Sequence, residues 1–320
     1  MDKQYSNFSP AKKALLEKWK GGKLKADIIP KRQDYKNNPL SFPQQRLWFI
    51  DQLYHGSPFY NIPIAFHIQG NLNIATLEQS LNEILKRHEV LRTNFTLVNG
   101  EPVQEVAPQL TWNLSIINLE HLSGKDWESE VKQFAAQEAK KPFNLAKGLL
   151  VRATLLRLSQ KEHVLLVTMH HIITDGWSCG VFLRELSTLY GAFSTNQSSP
   201  LPELPIQYAD FAVWQRASIQ GEFLATQLNY WKQQLKGELP VLQLPTDRPR
   251  PNVSTFTGAK QYFTFSTVLT NALKQLSQQA DTTLFMSLLA AFNILLYRYT
   301  DQEDILIGSP IANRNRAELE

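Results

Sequence analysis

Cysteine is nearly absent: Cys179 stands alone in 320 residues. A disulfide framework is thereby excluded, and a reducing compartment is expected. No apolar run approaches the roughly 18 residues that a membrane-spanning helix needs, and no secretory leader is visible, so a soluble cytoplasmic protein is expected. Metal-ligand spacing is lacking as well. His170 and His171 are sequence neighbours, and no second His, Cys or carboxylate cluster accompanies them, so no metal site is expected. Charge of one sign is scarce over most of the chain. The net +4 is local, because residues 1–40 hold ten Lys/Arg against four Asp/Glu. Subtracting that +6 leaves the other 280 residues at −2, which implies no nucleic-acid partner. There is no internal repeat.

What is present is a large apolar content, 43% of residues, enough for a sizeable core divided between two lobes. Residues 1–38 read as a basic arm that docks or links, with one short helix signal of Ser9 as cap, Pro10 and a Gly21-Gly22 stop. Lys23 to Asn38 reads as a polar linker. From Leu40 strands and helices alternate. Ile62, Ile64, Phe66 and Ile68 predict a half-buried strand, and Leu77, Leu81, Ile84 and Leu85 predict a helix ending at a structural His88. Strands are predicted over 91–98, 102–106, 112–117 and 149–158, with a hairpin turn at Asn99-Gly100. Trp127, Val131, Phe134 and Ala135 mark a further helix. The Ser/Pro-rich stretch 194–205 is the clearest linker, so the lobes are expected at 39–200 and 201–320. Three helices follow, lined by Leu224 and Leu228, by Leu269 and Leu273, and by Leu288 and Phe292. Between them Pro245 to Pro251 reads as a stiff extended crossing, and Asp304 to Gly308 reads as a strand.

The stretch from Val164 to Ser178 organises the rest. An almost unbroken apolar run, Val164 to Met169, predicts a strand buried on both faces. It ends in His170 and His171, then Asp175, Gly176 and an amphipathic helix. Neighbouring side chains on a strand point to opposite faces, so a division of labour is predicted, one imidazole inward and one outward. The alternative is that both are packed core residues. Asp175 can hold the turn by accepting backbone amides or by pairing with an arginine. Gly176 suits a tight backbone turn. Cys179 reads as a buried thiol rather than a nucleophile.

His170-His171-Ile-Ile-Thr-Asp175-Gly176, followed by Trp177-Ser178, resembles the core motif of condensation domains of non-ribosomal peptide synthetases. Five more stretches resemble that family in its order: Ser41 to Trp48, Arg87 to Phe95, Tyr208 to Trp214, Leu244 to Pro251, and Ile307 to Arg316.

The resemblance implies a mixed α/β, two-lobed, V-shaped fold like that of chloramphenicol acetyltransferase. It implies attack by an acceptor aminoacyl amine on a donor thioester. Both substrates ride on phosphopantetheine arms of upstream and downstream peptidyl carrier proteins, beside adjoining synthetase domains, with no resident cofactor, nucleic acid or membrane. His171 is then the catalytic histidine, as base or as positioner of the amine. Asp175 and Gly176 are in the site, the glycine amide being a candidate oxyanion donor. His170, Arg92 and Arg314 (with Arg316 as second choice) support the site, and Trp177 and Ser178 line the substrate channel. Two sibling activities are disfavoured: epimerisation by the order Gly-Trp-Ser after the aspartate, heterocyclisation by the presence of histidines. A carrier-binding module that forms no bond and a free-standing coenzyme A acyltransferase are the rival readings. The family's pattern continues beyond a segment like Ala312 to Arg316, so a truncated second lobe and weak activity of these 320 residues are expected.

Overall fold

A computed structural model describes residues 28–122, 125–249, 251, 258–259, 261–314 and 316–319. The predicted helix at Ser9–Gly21 lies outside them. The chain forms two compact units, one gathering the described residues up to Gln220 together with the stretch from Ala312, the other running Gly221–Ile311. Among the described residues, no single helix is long and apolar enough to cross a membrane.

The first unit is built on a sheet whose strand order follows from burial. Strand β1 (Asn38–Pro39) and helix α1 (Phe42–Leu53) precede β2 (Asn61–Gln69), on which every second residue is exposed, as the alternation of Ile62, Ile64, Phe66 and Ile68 predicts. Helix α2 (Ile74–Arg87) buries Leu77, Leu81, Ile84 and Leu85. A 3-10 turn (Glu89–Arg92) replaces the start of the strand predicted from Leu91, and β3 (Thr93–Val98) and β4 (Glu101–Val106) follow. Asn99 and Gly100 join them with φ of +54° and +83°, the left-handed pair that a two-residue hairpin requires. Next come β5 (Ser115–Asn118), α3 (Lys125–Lys140), β6 (Val151–Ser159) and β7 (Glu162–His170). Helices α4 (Gly176–Ser194) and α5 (Tyr208–Ser218) complete the run.

Strand β7 is central in the order β2-β7-β6-β5, antiparallel to β2 and β6, while β5 runs parallel to β6. Leu165, Val167 and Met169 enter the main core with α2 and α4, and Val164 and Leu166 enter a second cluster with α3. With a helix layer on each side, the strand has no solvent face to offer, hence its apolar run, interrupted only by the buried Thr168 between Val164 and Met169. A second sheet has the order β1-β4-β3.

Two expectations need correction in this unit. Within the predicted linker, most described residues are exposed, but Ile29, Arg32 and Asn38 are buried and anchor it to the first unit. Arg32 donates to Asp210 (2.9 Å) and pairs with Glu89, so one buried guanidinium meets two carboxylates. Burying such a charge is tolerable only with this pairing. The boundary also falls later than the Ser/Pro-rich stretch, because α5 belongs to the first unit. Its Gln215 accepts from the Phe42 amide (2.9 Å), and its Arg216 donates to the Leu40 carbonyl and to Gln45 (both 2.7 Å).

In the second unit α6 (Gly221–Gln234), α7 (Thr267–Gln279) and α8 (Leu284–Thr300) follow the predicted apolar spacing. Ser266 and Thr283 cap α7 and α8. A hydroxyl knot joins the last two, with Ser277 Oγ 2.8 Å from Ser287 Oγ and donating to the Leu273 carbonyl. Asp304 to Gly308 is not a strand: among the described residues no strand is paired with it, and backbone pairing is what defines one. Residues 245–249 are exposed and irregular.

Candidate active site

The end of β7 is pinned from both sides. The His170 amide donates to the Leu150 carbonyl (2.9 Å) and the His171 amide to the Tyr60 carbonyl (2.7 Å), which fixes the tandem histidines against both flanking segments. His170 turns inward and is 3% exposed. Its ring lies against Phe143 and Tyr60, with centroids 6.2 Å and 6.4 Å away, and its Nδ1 accepts from the Ile172 amide at 3.2 Å. Burial first, then the neighbouring His171, lower its pKa to about 4, so it is neutral at pH 7 and carries its proton on Nε2. That suits a support, not a proton acceptor.

His171 is exposed, and its Nδ1 lies 2.8 Å from the Thr174 carbonyl. A carbonyl only accepts, so Nδ1 bears the hydrogen and Nε2 of the neutral ring keeps its lone pair. Of the two neighbouring imidazoles, one is thus buried and one exposed.

Asp175 caps α4: its Oδ1 accepts from the Ser178 amide (2.8 Å) and the Ser178 hydroxyl (2.7 Å). Arg314 reaches the same carboxylate from the end of the chain, with Nη2 2.9 Å from Oδ1, 3.1 Å from Oδ2 and 2.9 Å from Ser178 Oγ. Burial pushes the Asp175 carboxyl up, but the Ser178 bonds and the Arg314 charge together bring it below the usual range, so it stays ionised. Tyr208 is close enough to feel both charges. Burial raises its hydroxyl, which sits 3.0 Å from Ser41 Oγ. Gln44, held in a capping box with Ser41, donates to the Ile172 carbonyl at 3.4 Å.

His171, Asp175 and Gly176 share one loop, and Arg314 joins them. The Ser178 hydroxyl donates to Asp175 Oδ1 and lies 2.9 Å from Arg314 Nη2. Trp177 is 51% exposed with its ring centroid 6.0 Å from the Arg314 guanidinium. Arg92 bonds the Ala107 carbonyl and lies 3.8 Å from Glu89, supporting the 3-10 turn instead of the histidine loop. Arg316, the second choice for Asp175, stacks on Trp214 instead. Gly176 has no left-handed φ, and a Cβ there would meet nothing within 4 Å, so the turn itself does not demand glycine. Burial pushes the Cys179 thiol up, and Sγ donates to the Asp175 carbonyl at 3.2 Å.

A family model described as the Condensation domain matches residues 35–320. The chain belongs to the condensation-domain family. A linear gramicidin synthase from Brevibacillus parabrevis is 51% identical over 96% of this chain, which spans 6% of that protein. The malpinin synthetase of Mortierella alpina is 45% identical over 92% of the chain and 4% of its own length. This condensation domain thus spans a small part of the length of the curated relatives it matches. Among solved structures, the X-domain from teicoplanin biosynthesis superimposes with a TM-score of 0.74 at 26% identity, covering 85% of this chain and 59% of that one. Ser41, Gln44, Tyr60, Thr174 and Tyr208 were not singled out from sequence as site residues. Ser41, Gln44 and Tyr208 lie in motifs that bear the resemblance, and only the fold brings those motifs to the condensation-domain loop.

Proposed function

We propose that this condensation domain forms an amide bond between an acceptor aminoacyl amine and a donor acyl or peptidyl thioester. Both are delivered on phosphopantetheine arms of peptidyl carrier proteins within a non-ribosomal peptide synthetase. The observation that carries the reading is the exposed His171, whose Nδ1–H is held by the Thr174 carbonyl, so that a lone pair at Nε2 is offered to solvent beside an ionised Asp175–Arg314 pair. The acceptor nitrogen attacks the thioester carbonyl carbon, and the C–N bond forms as the C–S bond breaks. The proton lost by the amine passes through Nε2 of His171 to the departing donor thiolate, leaving a free thiol on the donor arm and the lengthened acyl chain on the acceptor arm. Asp175 and Arg314 hold the loop in place, and the open space beside Gly176 leaves room for a narrow arm near the backbone amides at the start of α4.

The test loads donor and acceptor carriers and measures dipeptide formed by the wild type and by His171→Ala. A fall of roughly 10²- to 10⁴-fold is expected for a proton-handling histidine. Equal yields from the two proteins overturn the reading. The pH profile of kcat separates proton acceptance from positioning, since an acceptor amine itself titrates near pH 8, an approximate value for an α-amino group.

A further inference from the structure

Helix α5 carries Tyr208, Phe211 and Trp214 at three-residue spacing, and their rings form a row. Centroids are 5.4 Å apart between Tyr208 and Phe211 and 6.0 Å apart between Phe211 and Trp214. The Tyr208 end sits on Ser41, at the cap of α1. At the other end the Arg316 guanidinium carbon is 4.4 Å from the Trp214 ring centroid, within the range of a cation–π contact. Two residues earlier, Arg314 holds Asp175 and Ser178, and its Nη1 donates to the Leu319 carbonyl. The stretch from Ala312 is therefore fastened to the first unit at two points, an ion pair on the loop and a stacked arginine on α5.

A single arginine on a long flexible stem is a poor ruler, because its side chain loses much rotamer freedom when fixed. A second anchor two residues away restricts the backbone that bears it. We propose that Trp214 and Arg316 are positioning residues that act through Arg314 on the Asp175 loop. Their effect is to hold the guanidinium where it keeps Asp175 turned toward the start of α4. The proposal rests on the condensation reading for its effect on rate, but not for its effect on Arg314.

The experiment compares Trp214→Ala, Trp214→Phe and Arg316→Ala in the full chain. In the dipeptide assay, kcat is expected to fall about tenfold in Trp214→Ala and in Arg316→Ala, a loss equal to one partly desolvated cation–π contact. KM for both carriers stays unchanged, and Trp214→Phe recovers most of the rate because it keeps a ring face. In an Asp175→Asn background Trp214→Ala costs nothing further. The second readout is the side-chain NMR signal of Arg314 Nε–Hε, assigned by its loss in Arg314→Lys. That signal shifts in Trp214→Ala and Arg316→Ala and returns in Trp214→Phe. An unshifted signal in both alanine variants, or an undiminished tenfold loss in the Asp175→Asn background, overturns the proposal. Arg316→Ala leaves α5 intact, so a folding failure of Trp214→Ala does not decide the matter. A folded wild type that makes no dipeptide sinks the condensation reading, while the Arg314 signal still decides the positioning.

Discussion

Two helices of comparable length show how differently the two units treat apolar surface. Helix α4 in the first unit buries Phe182, Leu186 and Leu189 against the central sheet. Helix α8 in the second unit is richer in apolar residues, yet among its residues Leu296 alone is buried, and Phe285, Phe292 and Leu295 are exposed. Helix α7 is similar, with Val268 80% exposed. Amphipathic spacing is enough to make a helix, but a core requires a facing surface, and among the described residues the paired strands all lie in the first unit. The first unit also holds its buried charges in pairs: Arg32 with Glu89 and Asp210, and Glu185 with Arg87 and His88.

The largest effect should come from breaking one such pair. Arg32→Ala leaves the buried Asp210 without its ion pair and takes one of two arginine partners from Glu89, and about 3–5 kcal/mol of stability should be lost from the first unit in urea unfolding. A loss below about 1 kcal/mol would mean that the stretch from Ile28 is dispensable. Leu165→Ala in β7, where the side chain is fully buried, should cost about 2–5 kcal/mol through lost burial and the cavity it leaves. The same truncation at exposed Leu295 should cost far less, and equal costs would erase the contrast between the units.

Acid should separate them next. Every histidine lies outside Gly221–Ile311, so the acid response of a buried imidazole belongs to the first unit. His170 has its folded pKa lowered to about 4, so the unfolded chain binds the extra proton in that window. Its contribution is therefore complete above the unfolded value and is lost as pH falls toward 4, up to about 3 kcal/mol at 1.36 kcal/mol per pH unit. Unfolding curves at pH 7, 6, 5 and 4.5 should show this slope, and His170→Phe should flatten it. A slope unchanged in His170→Phe would place the acid sensitivity elsewhere. Smallest of all, Val268→Ser on α7 should alter stability by no more than about 0.5 kcal/mol while reducing self-association seen by light scattering.

The first unit's sheet was legible because burial imposes a period on sequence. The alternation in β2, the solid run of β7 and the Asn99-Gly100 turn each have a local cause. His170 and His171 could be assigned opposite directions from strand geometry, and Arg314 could be matched to Asp175 only through the family resemblance. What stayed hidden depends on contacts across long separations. Nothing near Arg32 in sequence suggests Asp210, 178 residues away, so its stretch read as a polar linker. The bond of Ser178 to Asp175 was not read from sequence, because it is a capping contact whose geometry appears only once α4 has formed. The segment 304–308 has strand composition but no partner strand among the described residues, and composition cannot supply one.

The Arg314–Asp175 pair also sets a timetable. Its partners are 139 residues apart, with the whole of Gly221–Ile311 translated between them. At roughly 5–20 residues per second, a ribosome needs on the order of 7–28 s to pass from one to the other. Helix α4 and the sheet beneath it can assemble within that interval, and Ser178 is available to Asp175 as soon as α4 forms. The arginine arrives last. A nascent first unit therefore carries its histidine loop with the aspartate only half-satisfied, and the loop reaches its final form on the schedule of translation.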